Sequence, residues 1–72
     1  MSYAIYGESD TYVHLVSAET REGVIGLFAA DVMSVGVNMK DVYNIYAVQD
    51  NREDKELEDF IMNIIKGAQQ EV

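Results

Sequence analysis

Three stretches of this chain alternate apolar and polar positions with a period of two, and two others repeat with a helical period. Ser2 to Gly7 places Tyr3, Ile5 and Gly7 on one side and Ala4 and Tyr6 on the other, the pattern of a strand. Glu8-Ser9-Asp10 is a polar break of hairpin length, and Tyr12 to Val16 alternates again. So short a loop makes the two strands antiparallel. From Thr20 to Val35 the period changes. On a 100° wheel Val24, Ile25, Phe28, Ala29, Val32 and Val35 share one side, and Gly23, Gly26, Ala30 and Ser34 share the other. Thr20 is the favoured N-cap, with Ser17 as the alternative, and Gly36 is placed to end the helix in a left-handed conformation. Val42 to Val48, rich in β-branched and aromatic residues, is a third strand.

After the turn Gln49-Asp50-Asn51, a last helix runs to about Gln69. Leu57, Phe60, Ile61, Ile64, Ile65 and Ala68 form its apolar stripe, and the spacing of Asp50 and Glu53 is that of a capping box. The order ββαβα fixes most of the topology. Strand, helix and strand make a crossover long enough for the second and third strands to run parallel. With the first strand between them, the expected fold is an α+β, two-layer ββαβα sandwich. Its three-stranded mixed sheet has order 2-1-3, and both helices lie on one face. The strip of Gly23, Gly26 and Ala30 is where two helices, or two copies of the chain, would come close.

Facing then decides which residues the sheet displays. With Val13, Leu15 and Ile45 turned to the helices, the opposite face gathers Ala4, Tyr6, Tyr12, His14, Asn44 and Tyr46. Tyrosine offers large contact area, a hydrogen-bonding tip and little entropy to lose, so Tyr6, Tyr12 and Tyr46 are candidate partner-binding residues.

Composition bounds the function. Seventy-two residues make one small α+β domain, residues 1–72. A chain of this size hides only about 60–65% of its unfolded surface, and without cysteine it has no disulfide or thiolate zinc to help. Thirteen acidic residues against five basic give a net charge of −8. That field repels nucleic acid and anionic lipid and attracts basic surfaces, so direct nucleic-acid and membrane binding are not expected. The opening MSYAIYGESD has neither a basic n-region nor a long apolar run, and no stretch approaches a membrane span. A cytoplasmic location is expected.

The charge is densest from Asp50 to Asp59, with six acidic and two basic residues. Glu53, Asp54, Glu56 and Asp59 there either complement the dipole of a helix start or imitate a row of phosphates for a basic cleft. The stretch lacks the glycine and distal glutamate of a calcium loop. With no cysteine beside it, the single histidine, His14, cannot build a zinc site alone. No nucleophile elbow, phosphate loop or convergent acid and base is present, so no catalytic residue, metal or cofactor is expected.

These observations point to a non-enzymatic acidic domain that binds a protein with a basic surface. In size, charge and layout the chain resembles small phage or mobile-element inhibitors of the anti-CRISPR and DNA-mimic kind. That resemblance implies a decoy occupying a nucleic-acid-binding surface of its partner. The alternative is a small homodimeric structural or regulatory protein whose acidity serves solubility.

Overall fold

The computed structural model describes residues 1–70, with side chains through residue 67; Ala68 of the expected apolar stripe lies outside the described side chains. The elements are β1 (Tyr3–Glu8), β2 (Val13–Ala18), α1 (Arg21–Ser34), a 3-10 turn (Met39–Asp41), β3 (Asn44–Gln49), β4 (Arg52–Glu53) and α2 (Lys55–Gln70). The class is α+β, and the order of the first three strands is 2-1-3 as the pattern predicts. Two features of the sheet differ from expectation. It has four strands, in the order β2-β1-β3-β4, and each neighbouring pair is antiparallel, where a mixed three-stranded sheet is expected. β2 and β3 do run parallel, but β1 separates them.

The fourth strand exists because Asp50 and Asn51 both take positive φ, 50° and 67°. Two left-handed residues make a two-residue hairpin, and Asp and Asn tolerate that conformation better than most. Asp50 also ties the turn to the start of the chain: its N–H donates to the Ser2 carbonyl (2.9 Å) and its Oδ1 accepts from the Ser2 N–H (2.8 Å). The Asp50–Glu53 capping box is therefore absent. Asp54 caps α2 instead, its Oδ1 accepting from the Leu57 N–H at 3.1 Å. At α1 the favoured cap holds, with Thr20 Oγ1 accepting from the Gly23 N–H at 3.0 Å, while Ser17 lies inside β2. Gly36 ends α1 with φ 77°, and Val37 folds back so that its N–H reaches the Val32 carbonyl.

Both helices cover the same face of the sheet. The core joins Ile5, Ile45 and Ala47 of the sheet to Val24, Phe28 and Val32 of α1, Leu57, Ile61 and Ile65 of α2, and Val42. Phe28 is the largest of these side chains, and its ring lies on the central strand at Gly7. A Cβ at Gly7 would sit 2.5 Å from two ring carbons, so only glycine leaves room there. The narrow row Leu57, Ile61, Ile65 carries the burial of α2. Phe60 and Ile64, expected in the same stripe, stay exposed on its flank, Phe60 at 45%. The small-residue strip of α1 is not a contact between the two helices. Gly26 and Ala30 are exposed, no atom beyond the surrounding turns of its own helix lies within 4 Å of a Cβ built on Gly26, and Gly23 sits over Ala18 of β2. Among the described residues no helix is long and apolar enough to cross a membrane.

Candidate functional site: the open sheet face

The helices leave the second face of the sheet without cover. Directly opposed residues share a face, so the register lists what this face presents. Ser17, Ala4, Val48 and Glu53 form one row across the four strands; Leu15, Tyr6 and Tyr46 form the middle row; Val13, Glu8 and Asn44 form the third. The middle row is wholly apolar or aromatic, with Leu15 exposed at 69% and Tyr46 at 47%. Tyr43, just before β3, is also exposed, and its hydroxyl adjoins Glu8. Desolvation first, and then the Glu8 carboxylate, raise the Tyr43 pKa above the usual phenol value. Asn44 Nδ2 donates to Glu8 Oε1 at 3.4 Å.

The structure places Tyr6 and Tyr46 on one face, as the sequence predicts, and its register makes them a directly opposed pair. It separates Tyr12 and His14 from them. Both belong to the helix-bearing side, with ring centroids 6.2 Å apart, and Tyr12 stays half exposed at the hairpin end. The facing of β2 is thus the reverse of the expected one: Val13 and Leu15 look outward and His14 inward. The register gives the reason. Gly7 pairs with His14 and Ile5 with Val16, so β2 must present His14 and Val16 to the same side as Ile5. His14 is 1% exposed; its Nδ1 lies 2.7 Å from Asp31 Oδ2 on α1, and Phe28 meets the ring edge-on. Leu15, Val13 and Tyr43 are the face residues that pattern reading misses. Fixing Ile5 as inward and counting across the hairpin would have found the first two.

The acidic residues at the start of α2 occupy a different place. Glu53, Asp54 and Glu56 line an open polar concavity of about 700 Å³ together with Arg21, Gln49, Asp50, Arg52 and Lys55. Three of the chain's five basic residues are therefore in their midst. Glu53 Oε2 lies 3.1 Å from Lys55 Nζ, and Glu56 Oε2 lies 3.9 Å from Arg21. Asp54 is engaged as the helix cap, while Glu56 and Asp59 stay exposed. Glu53 also adjoins Glu58. Lys55 chiefly, and Glu58 after it, hold the Glu53 carboxyl below its ordinary value, whereas desolvation chiefly raises that of Glu58. This cluster is compensated only in part by the basic residues among it, since six acidic residues stand against two basic ones from Asp50 to Asp59.

Among the described residues no three His, Asp or Glu side chains converge as a metal site would require. Two surfaces therefore stand out: the apolar and aromatic open face of the sheet, bordered by Glu8 and Glu53, and the polar concavity at the start of α2. Comparison with family models, with curated proteins and with solved structures finds no match to this chain in any of the three.

Proposed function

We propose that the chain is a non-enzymatic binding protein that docks its open sheet face on a partner protein with a basic surface. The observation that carries this reading is the uncovered row of Leu15, Tyr6 and Tyr46 in a domain whose helices all lie on the other side. A small domain that leaves a contiguous apolar face in water invites a partner there. The net charge of −8 supplies the second half of the recognition, since it steers the domain toward Lys- and Arg-rich surfaces. In its sharpest form the partner surface is one that otherwise holds nucleic acid, and the domain acts as an inhibitor by occupying it.

The test uses two exposed residues of this face. Partners retained by the immobilised parent chain are compared with those retained by a Tyr43→Ala, Tyr46→Ala variant, whose fold is verified by circular dichroism. A partner that is lost with the variant, competes with nucleic acid and dissociates as salt rises supports the proposal. Retention of the same proteins by both chains would mean that the sheet face is not the docking surface.

A further inference from the structure

The two edges of the sheet are finished differently. β4 closes one edge with two residues, Arg52 and Glu53, both charged. Beside it, the Ala47 carbonyl accepts from the Asp54 N–H at 2.9 Å, and the Ala47 N–H donates to Glu58 Oε2 at 3.3 Å. That edge is short, charged and hydrogen-bonded, the usual protections against unwanted pairing. β2 forms the other edge and has none of these. Its six residues, Val-His-Leu-Val-Ser-Ala, pair with β1 in unbroken register and include no lysine, no proline and no acidic residue.

The bonding pattern shows which groups this edge offers. Ser2 of the chain accepts from Asp50 on the β3 side, and Ser9 donates to the Tyr12 carbonyl on the β2 side, so odd-numbered residues of the first strand bond toward β2. Their partners Ala18, Val16 and His14 are thereby used. Val13, Leu15 and Ser17 turn their N–H and C=O groups outward, and the side chains of Val13 and Leu15 are exposed as well. Above this edge stands α1, with Gly23 over Ala18 and Asp31 on His14. Leu27, one turn from each, is 48% exposed and lies between them along the same helix row.

In a chain of net charge −8 this is a long strip without charge. The acidic groups around it are Asp31, which His14 holds, Glu8 on β1 opposite Val13, and Asp10 and Glu19 beyond its two ends. Two copies of so acidic a domain repel one another through most orientations, and a neutral edge is where they can meet without apposing like charges. An antiparallel strand edge is also self-complementary about a two-fold axis.

We propose that the chain forms a homodimer by antiparallel pairing of β2 with the β2 of a second copy, centred on Leu15. In that register Leu15 opposes Leu15 and Val13 opposes the second copy's Ser17, so all three outward residues of each edge are bonded. The two sheets become one of eight strands, the open faces join into a single continuous surface, and the exposed Leu27 of each α1 turns toward its counterpart. Asp10 of one copy comes near the end of β2 in the other, close to its Glu19. Salt therefore strengthens the dimer by screening that repulsion, opposite to its effect on a basic partner. This inference does not rest on the docking proposal: it is argued from the outward backbone groups of β2, and of the middle row of the open face only Leu15 belongs to that edge.

Sedimentation equilibrium on the whole chain at low and high salt tests it, beside two variants. Leu15→Pro removes an N–H that faces solvent in the single copy, a position where proline is tolerated, and so disrupts chiefly the pairing. Leu15→Glu puts two carboxylates opposite each other at the axis. The expected result is a parent with the mass of two chains, tighter at high salt, and variants whose dimerisation is weakened at least about tenfold while their circular dichroism is kept. A parent with the mass of one chain at every salt concentration would overturn the proposal. So would a dimer that both folded variants retain unchanged.

Discussion

The imidazole of His14 stands in an apolar setting, with Nδ1 on Asp31 and a buried Nε2 that meets no donor or acceptor of the protein among the described residues. Removing one member of such a pair costs more than removing both, because the survivor is left buried without a partner. Asp31→Ala should therefore destabilise by about 1–3 kcal/mol in urea melts, and adding His14→Leu should recover most of that loss. Equal stabilities of the single variant and the parent would show that the pair contributes nothing. Glu58 makes a residue-scale prediction in pH. Its folded pKa is raised, mainly by desolvation, so its contribution is present below the ordinary carboxylate value and is lost as pH rises through the folded one. The lowered pKa of Glu53 acts in the opposite sense, its contribution being lost as pH falls. Gln in place of Glu58 imitates the protonated acid: it can accept from the Ala47 N–H and donate to Glu53. Glu58→Gln is thus expected to be at least as stable as the parent at pH 7, with that relation fading toward pH 4. Thermal melts across that range check the slope, and parallel curves would rule the coupling out.

Among the elements, the two helices divide their work unequally between buried and exposed apolar residues. Phe28→Ala and Ile61→Ala each remove a fully buried side chain and should cost about 2–5 kcal/mol. Phe60→Ala should cost less than about 1 kcal/mol, although the periodicity of α2 gives Phe60 and Ile61 equal standing. Finding Phe60 as costly as Ile61 would mean that the flank of α2 is packed. The existence and order of the long elements are legible in the sequence because hydrophobic period and capping agree there: Thr20, Gly36 and the Leu57-Ile61-Ile65 row all act as their positions suggest. Two features depend on more than local pattern. The inward turn of His14 follows from register with β1, since Val13, Leu15 and Val16 fit either face by polarity alone. The hairpin at Asp50-Asn51 has no glycine, so its left-handed backbone is inconspicuous, and the two-residue strand after it is too short to show any period. The candidate site inherits the first of these. Tyr6 and Tyr46 are found from sequence, and Leu15 on the edge strand is not.

For the whole molecule, the net charge of −8 acts in two directions at once. It draws the domain toward a basic surface and pushes its copies apart, so the proposed docking and the proposed dimer must respond oppositely to salt. The cluster at the start of α2 lets the two be separated. A Glu53→Gln, Glu56→Gln, Asp59→Asn variant lowers the net charge from −8 to −5 and releases Lys55 and Arg21 from their carboxylate partners. None of these residues lies on β2 or in the middle row of the sheet face. Border charges act mainly on encounter rate, so the variant should bind a basic partner more slowly at low salt, with the difference closing as ionic strength rises. Dissociation, governed by the apolar face, should change little. The same variant should dimerise at least as well as the parent, because less charge is brought together. Association rates measured against salt, with the mass of the free variant measured alongside, give both answers from one preparation. Unchanged rate and salt slope would reduce the carboxylates at the start of α2 to partners of Lys55 and Arg21 and caps of the helix. The steering charge would then have to come from the acidic residues nearest the open face, Glu8 and Asp10.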